Sequence, residues 1–336
     1  MTTMSLRRGL SALTLAATAG LAVMAPLQPA RSSVVPHAGG PHVIATIPVD
    51  RQPYDVATDP VTGRVYVTEP FRLVVINGKT NKVVASVPVP DPTFAVATDS
   101  ATGMVYASDP AHRSVLVMNG KTNKVVARIK VGGVVFWLAV NPLTDRIYAQ
   151  AIVSTSLGRV VVIDGRTNTV VAGIRDRNGA QAVAVNPLTN TVYALSGGPE
   201  GLLVISGRTN KVTTTIPSGG GLDVATDPRT NTIYVTSPGG EGPGFVDVIN
   251  GKTNTVTTTV TVSSVFDLAV DRLTDFVYVA NYDPNTVVVI NGRTDSVVAN
   301  VPVGRHPRDV AVNQMSNTVY VTNTGSRSVS VIAGAQ

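Results

Sequence analysis

The sequence predicts an all-β protein, a single seven-bladed β-propeller of four-stranded antiparallel blades. From His42 onward the 336-residue chain repeats with a period of about 40 to 45 residues, which is typical of propeller blades. Each copy carries one apolar residue followed by tyrosine, and no segment shows a sustained helical period. The repeated tyrosines are Tyr66, Tyr106, Tyr148, Tyr193, Tyr234, Tyr278 and Tyr320.

The first copy illustrates the four strands that we expect in every blade. We expect strands at 55–58, 64–68, 73–76 and 83–89, because these segments are rich in Val, Ile, Thr and Tyr. Asp-Pro, Thr-Gly and Asn-Gly pairs separate them, and these pairs favour tight turns. Four short antiparallel strands at this spacing form one propeller blade.

The two ends of the repeat region are complementary. Val43 to Pro48 resembles the fourth strand of a later copy, Val297 to Pro302, but no earlier strands complete its blade. The last copy, from Arg308 to Ile332, has three strands and then stops. We therefore expect the N-terminal strand, at about 43–48, to join the C-terminal three strands and leave no open sheet edge.

The segment Asn-Gly-Lys-Thr-Asn-Lys occurs at 77–82 and again at 119–124. Gly-Lys-Thr also ends a phosphate-binding loop, but that loop needs a glycine five positions upstream and a helix downstream. Leu73 and Val115 occupy those upstream positions, and a strand-like segment follows each triplet. We therefore interpret the segment as a hairpin between third and fourth strands, with Gly and Asn supplying unusual backbone angles.

Several words in the sequence resemble the YVTN-type β-propeller repeat family. They are Val-Tyr-Val-Thr at 65–68 and 319–322, the segments "VINGKTN" and "VVASVPV", and "DVAVN" at 309–313. The resemblance covers the chain from about 42 to 336. It implies a propeller fold in exported bacterial or archaeal surface and periplasmic proteins. It implies no shared reaction, because fold does not dictate function.

The N-terminus predicts export. Arg7 and Arg8 precede an apolar run from 9 to 24, and Ala25 and Ala30 follow as cleavage-site residues. We therefore divide the chain into a signal peptide (1–30), a flexible segment (31–41) and the propeller (42–336). The expected location is secreted or associated with the cell envelope, with the Sec and twin-arginine routes both open. The chain has no cysteine, which excludes disulfides and a cysteine lipid anchor.

The charge indicates no dedicated nucleic-acid binder. The formal charge of +6 falls to about +4 without Arg7 and Arg8, and the basic residues are spread through the chain. No segment after the signal is long and apolar enough to span a bilayer. We expect a monomer whose partner is an extracellular or envelope ligand, which could be a protein, a glycan or a small molecule.

The turns divide into a uniform set and a variable set, which a propeller places on opposite faces. The first-to-second and third-to-fourth turns are nearly identical between copies, as in "NPLTDR" and "NPLTNT", which indicates a geometric role. The second-to-third loops and the links between blades differ in length and chemistry. Variable loops on a rigid scaffold are where binding usually occurs.

One aligned position, where each first strand begins, lies near the predicted channel mouth. Four neighbouring blades carry an acid there, and the other three carry Ala95, Trp137 and Ala182. The acids are Asp55, Asp223, Asp267 and Asp309. This acidic half suits a cation or an amine. The alternative is that each Asp accepts hydrogen bonds from backbone N–H groups of its own link. We predict no cofactor, and a divalent cation at the channel mouth stays open.

Aromatic and basic residues of the variable face complete the candidate site. Tyr54, Phe94, Phe136 and Phe266 occupy matching positions, so we expect them to pack between blades. Residues that break the pattern are better candidates for ligand contact. The remaining candidate site residues are Phe71, Arg72, Trp137, Phe245, Tyr282, His306 and Arg308.

Three functions are compatible with the sequence. The first is a binding or interaction module that uses the variable face and the channel mouth. The second is a propeller enzyme, such as a lactonase-like hydrolase or a lyase. The third is a structural protein of the cell envelope. Enzyme signals are few, because the chain lacks a Gly-x-Ser-x-Gly elbow and has only four histidines, so we predict neither catalytic residues nor a metal site.

Overall fold

The computed structural model describes residues 39–154, 157–176, 180–197, 201–217, 220–239 and 242–335. The predicted signal peptide and residues 31–38 of the predicted flexible segment lie outside the described residues. The described residues form β-strands and turns, and they contain no helix long and apolar enough to cross a membrane.

Seven four-stranded antiparallel sheets form the blades, which confirms the predicted fold class. Blade 7 combines β1 (His42–Pro48), the first strand of the described residues, with three C-terminal strands. Blade 1 consists of β2 (Val56–Asp59), β3 (Arg64–Glu69), β4 (Arg72–Asn77) and β5 (Lys82–Pro88). Blade 2 consists of β6 (Val96–Asp99), β7 (Met104–Asp109), β8 (Ser114–Asn119) and β9 (Lys124–Lys130). Blade 3 consists of β10 (Val134–Asn141), β11 (Arg146–Ser154), β12 (Leu157–Asp164) and β13 (Thr169–Asp176).

The remaining blades follow the same order. Blade 4 consists of β14 (Ala180–Asn186), β15 (Thr191–Ser196), β16 (Leu202–Ser206) and β17 (Lys211–Ile216). Blade 5 consists of β18 (Asp223–Asp227), β19 (Thr232–Ser237), β20 (Phe245–Asn250) and β21 (Thr255–Thr261). Blade 6 consists of β22 (Val265–Asp271), β23 (Phe276–Asn281), β24 (Thr286–Asn291) and β25 (Ser296–Pro302). The C-terminal strands of blade 7 are β26 (Pro307–Asn313), β27 (Thr318–Asn323) and β28 (Ser328–Ala333).

The ring closes as the sequence predicts. Strand β1 pairs antiparallel with β28, with His42 opposite Ala333 and Pro48 opposite Ser328. The order of the sheet is β1-β28-β27-β26, so the N-terminal strand forms the outer edge of blade 7. First strands of consecutive blades contact one another around the whole ring, including β26 with β2. The seven first strands therefore surround the central channel.

Buried tyrosines explain four of the repeated glycines, Gly78, Gly120, Gly165 and Gly292. All seven tyrosines are almost fully buried, and the hydroxyl of Tyr66 in blade 1 approaches Gly120 in blade 2. A Cβ atom on Gly120 would lie 2.7 Å from that hydroxyl and 2.8 Å from the carbonyl oxygen of Gly103. Glycine is thus required at position 120 because the Tyr66 hydroxyl and the Gly103 carbonyl leave no room for a side chain. The sequence predicts the same role for Gly and Asn, but in these hairpins the left-handed conformation belongs to the Asn residues, such as Asn123 with φ of 56°, and to Asp295 in blade 6.

Both uniform turns of a blade lie side by side. In blade 1 the amide of Gly78, in the third-to-fourth turn, donates a hydrogen bond of 2.9 Å to the carbonyl of Gly63 in the first-to-second turn. An equivalent bond occurs in every blade, for example from Gly165 to Asp145. We call the surface formed by these turns the uniform face. The opposite surface, formed by second-to-third loops and blade links, is the variable face.

Candidate functional site

A cavity of about 360 Å³ lies at the centre of the variable face, where the first strands begin. Its lining divides into two halves, and blade 5 contributes to both of them. Four aspartates line one half, and we call them the acidic arc: Asp55, Asp223, Asp267 and Asp309. Aromatic and aliphatic side chains from blades 2 to 5 line the other half, and we call them the apolar arc: Phe94, Phe136, Trp137, Leu138, Val183 and Leu222.

A threonine on the second strand fixes the backbone of three aspartates of the acidic arc, whereas blade 6, which carries Asp267, has Ala280 at that position. The amides of Asp223 and Asp309 donate hydrogen bonds to the hydroxyls of Thr236 and Thr322, at 2.9 and 3.0 Å. The amide of Asp55 makes the same bond to the threonine of its own blade, at 2.9 Å. Because the repeat supplies this threonine in blades 1, 5 and 7, the side chains of Asp55, Asp223 and Asp309 start from equivalent points around the channel.

The carboxylates of the acidic arc join each blade to the next one. Asp55 Oδ2 accepts a hydrogen bond of 2.7 Å from the amide of Val96 in blade 2. Asp309 Oδ2 accepts one of 2.6 Å from the amide of Val56, across the seam between blades 7 and 1. The corresponding bonds of Asp223 and Asp267 are longer, at 3.3 and 3.4 Å.

These contacts differ from the sequence-based alternative, in which each Asp binds amides of its own link. The four bonds instead reach the neighbouring blade. Asp309 also binds an adjacent amide, that of Val310, at 2.7 Å, and the carboxyl groups of Asp55 and Asp223 likewise accept hydrogen bonds from the amides of Val56 and Val224, as that alternative predicts. The difference arises because the first strands of successive blades lie beside each other at the channel, which a linear sequence does not show.

The acidic arc retains protons at pH values where free aspartates are ionised. Burial raises the pKa of Asp223 to about 7. Burial, followed by the charge of a neighbouring carboxylate, raises the pKa of Asp55, Asp267 and Asp309 well above the usual range. Asp309 also hydrogen-bonds the carboxyl groups of Asp55 and Asp267, so protons are shared along the arc. A cation entering the cavity would replace protons that now reduce this repulsion.

The apolar arc contains a continuous row of aromatic rings. The rings of Phe94 and Phe136 are 5.4 Å apart, and Phe136 lies 5.7 Å from Trp137. Tyr54, also in the cavity wall, lies 5.1 Å from Phe94. We expected the aromatic residues at matching positions to pack between blades. They do contact one another, but they also line the cavity, and their position one residue before the aspartate position was the signal for this.

Arg308 stands at the rim of the cavity between two aromatic rings. Its guanidinium lies 5.1 Å from the ring centre of Tyr54 and 5.1 Å from that of Phe266. Within the described residues no carboxylate lies within ion-pair distance of it. Phe266 stacks on Tyr282 at 5.7 Å, and Tyr282 stacks on His306 at 4.6 Å. Tyr282 and His306 therefore extend the aromatic wall outward from the cavity.

Three predicted site residues lie away from this cavity. Phe71 is 48% exposed, and the guanidinium of Arg51 lies 5.7 Å from its ring. Arg72 forms ion pairs with Asp50 at 2.6 Å and with Glu69 at 3.3 Å. Phe245 begins β20 and is partly buried outside the cavity lining. The structure thus brings together six predicted residues, Asp55, Trp137, Asp223, Asp267, Arg308 and Asp309, and separates these three from them.

A second polar cluster lies on the variable face of blade 2. His112 Nδ1 lies 2.9 Å from Asp91 Oδ2 and 2.9 Å from Asp109 Oδ1, and Arg128 pairs with Asp109 at 3.0 Å. One imidazole and two carboxylates are a donor set that zinc accepts. In blade 1, however, the guanidinium of Arg72 joins the corresponding pair of carboxylates. We therefore interpret His112 as an ion-pairing residue that holds a loop to a blade link.

Comparisons with known proteins support the fold. No family model matches the chain, and no curated protein matches it. The solved structure of a protein described as Kuenenia stuttgartiensis hydrazine synthase is similar, with a TM-score of 0.74 and 18% sequence identity, covering 85% of this chain and 95% of that one. At this identity the similarity concerns the propeller fold alone. Membership of the YVTN-type family stays a resemblance that the repeated words suggest.

Proposed function

We propose that the protein is an exported binding module that takes a small ligand bearing an ammonium group at the mouth of its central channel. The observation that carries this proposal is the convergence of four carboxyl groups and a row of aromatic rings on one cavity. The cavity volume lies at the lower end of the range for small-molecule sites. The export part of the proposal depends on the N-terminal sequence.

The two arcs suit the two ends of such a ligand. An ammonium group would lie against Asp223 and Asp267, where burial strengthens its attraction to a carboxylate. The apolar part of the ligand would contact Phe136 and Trp137, whose rings also attract a cation at their faces. Arg308 at the rim would disfavour ligands that are cationic along their whole length.

Calorimetric titration with a panel of amines tests the proposal, with choline, putrescine and phenethylamine as probes. We expect phenethylamine to bind most tightly, because it has both an ammonium and an aromatic group. Its affinity should rise with pH through about 7, because the raised pKa of Asp223 means that bound protons must leave. Trp137 is the only tryptophan, so its fluorescence provides a second signal from inside the cavity.

Asp223→Asn is the informative variant, because its bond to the next blade is long and its loss should cost little stability. We expect this variant to bind amines about tenfold more weakly, which corresponds to one lost partly buried charge interaction. Asp283→Asn, at an exposed acid of the same face, is the matched control. Equal affinity of both variants, or an affinity independent of pH, would contradict the proposal. A parallel titration with Ca²⁺ and Mg²⁺ tests the divalent cation that the sequence left open.

The two alternative functions have less support. A hydrolase or lyase at the channel mouth would be favoured by a histidine within hydrogen-bond reach of an acid there. No histidine lines the cavity in the described parts of the chain. A purely structural role in the envelope does not explain why one half of the cavity keeps four carboxyl groups together. Both alternatives would gain if no amine and no cation bound.

A further inference from the structure

The uniform face carries a ring of exposed apolar side chains close to the channel axis. Each is the third residue of a first-to-second turn, in blades 1, 3, 4, 6 and 7. Their exposed fractions are 56 to 68%, although the repeat offers polar alternatives at the same position, such as Arg229 in blade 5. The five residues, which we call the apolar tips, are Val61, Leu143, Leu188, Leu273 and Met315.

The turns hold these tips rigidly in the solvent. In each turn the first residue, an Asp or an Asn, accepts a hydrogen bond from the amide of the tip residue. The distance is 2.9 Å from Val61 to Asp59 and 3.1 Å from Leu143 to Asn141. Consecutive turns also touch, because Arg229 donates to the carbonyl of Leu273 at 3.3 Å. The tips are therefore fixed parts of one surface, which lowers the entropy that a partner must overcome.

A ring of basic residues surrounds the apolar tips. The residue after the hairpin glycine is Lys or Arg in six blades, and all six side chains are exposed. In the described chain only Arg293 among them forms an ion pair, with Asp275 at 2.6 Å. The six residues, which we call the basic ring, are Lys79, Lys121, Arg166, Arg208, Lys252 and Arg293.

The acids of the same turns do not balance this charge toward the solvent. Asp59, Asp99, Asp227 and Asp271 are buried, and each accepts hydrogen bonds from amides of its own turn. Asp145 and Asp295 are partly buried. The structure describes all of these turns, and none of them presents an exposed acid. The uniform face is therefore apolar at its centre and cationic around it.

We propose that the uniform face binds an anionic phospholipid surface. Peripheral proteins are held on membranes by apolar side chains that enter the membrane–water interface and by Lys and Arg side chains near the headgroups. On the uniform face, the five apolar tips lie inside the six residues of the basic ring. This inference does not depend on the ligand of the channel mouth, because that cavity opens on the opposite face.

Site-specific fluorescence tests which face meets the membrane. The chain has no cysteine, so one can be introduced and labelled with an environment-sensitive fluorophore. Met315→Cys labels an apolar tip, and Phe71→Cys labels an exposed residue of the variable face. With the full chain and vesicles of phosphatidylcholine and phosphatidylglycerol, we expect a blue shift at Met315→Cys and none at Phe71→Cys. This local signal separates the uniform face from any membrane binding by the apolar N-terminal segment.

Vesicle co-sedimentation of unlabelled variants measures how much the apolar tips and the basic ring each contribute to membrane binding. Leu143→Ser with Leu188→Ser should weaken binding at least about tenfold, because two apolar side chains leave the interface. Val84→Ser with Val126→Ser is the matched control, since these valines are similarly exposed but lie on the outer strands β5 and β9. Lys79→Gln with Lys121→Gln should weaken binding at least about tenfold and reduce its dependence on salt.

Three results would overturn the proposal. One is a blue shift of equal size at Met315→Cys and Phe71→Cys. Another is equal binding of the tip variant and the outer-strand control. The third is a blue shift at Met315→Cys that grows with protein concentration in the absence of vesicles. That result would assign the face to a second copy of the chain.

Discussion

The acidic and apolar arcs occupy the same structural position but join the blades differently. In the acidic arc, Asp55 and Asp309 each reach across a blade boundary to a backbone amide of the next first strand. At the equivalent position of the apolar arc, Trp137 packs against two hydrophobic clusters, one between blades 3 and 4 and one between blades 4 and 5. The repeat thus fixes the backbone position at the channel mouth, but the type of side chain at that position differs between blades. A cavity formed from such positions can change its ligand while the ring stays intact.

Removing a carboxylate of the acidic arc should have the largest effect on stability. Asp309 is buried, 8% exposed, and Asp309→Ala leaves the amides of Val56 and Val310 without this acceptor. We expect a loss of about 2 to 4 kcal/mol in the free energy of unfolding, because unsatisfied buried donors are costly. Urea denaturation followed by circular dichroism measures this change.

Asp309→Asn is the control for that substitution. Its side-chain oxygen still accepts a hydrogen bond, and the repulsion from Asp267 disappears. We expect its stability to stay within about 1 kcal/mol of the original protein. If Asn were as destabilising as Ala, charge rather than hydrogen bonding would hold the seam, and the comparison between the arcs would need revision.

Truncation in the apolar arc should have an intermediate effect. Trp137→Ala removes contacts with Phe136 and with the clusters on both sides, but Trp137 is only partly buried. We expect a loss of about 1 to 3 kcal/mol in unfolding free energy, below the cost of a fully buried large side chain. The same variant should bind phenethylamine more weakly. Trp137→Phe, which keeps an aromatic ring, should retain most of both quantities, and an equal loss in both variants would argue against the apolar contact.

A further prediction concerns the dependence of stability on pH. The pKa of Asp223 rises from 3.8 to about 7 on folding, so between these values the folded state binds more protons than the unfolded state. The free energy of unfolding should therefore fall as the pH rises from about 4 to about 7. Asp55, Asp267 and Asp309, whose pKa values are also raised, act in the same direction.

Denaturation at several pH values between 4 and 8 checks this slope. Asp223→Asn should reduce it, since one of the groups that release protons is absent. Asp283→Asn, at an exposed acid, should leave the slope unchanged. A stability that rises over this interval would show that the acidic arc is ionised in the folded protein.

Much of the fold could be predicted because the same pattern of strands and turns recurs in every copy of the repeat. The motif of an apolar residue followed by tyrosine indicated the second strand of each blade, and the Asn-Gly turns indicated the hairpins between third and fourth strands. The half-blades at the two ends indicated the closure between β1 and β28. The acidic positions were also found, since they align in the repeat. Apart from Trp137, the aromatic lining was assigned to packing, because Phe94 and Phe136 contact residues of other blades that a sequence does not place beside them.

The sequence alone determined the strand count, the closure of the ring and the positions of the four aspartates, because these depend on local patterns repeated along the chain. Tertiary structure decided what those positions do. It placed Asp309 against Val56 across 253 residues, raised the pKa values by burial, and brought Tyr66 so close to Gly120 that no side chain fits. It also collected single residues from separate turns into the apolar tips and the basic ring. Such properties depend on distances between blades, and these distances cannot be read directly from a periodic sequence.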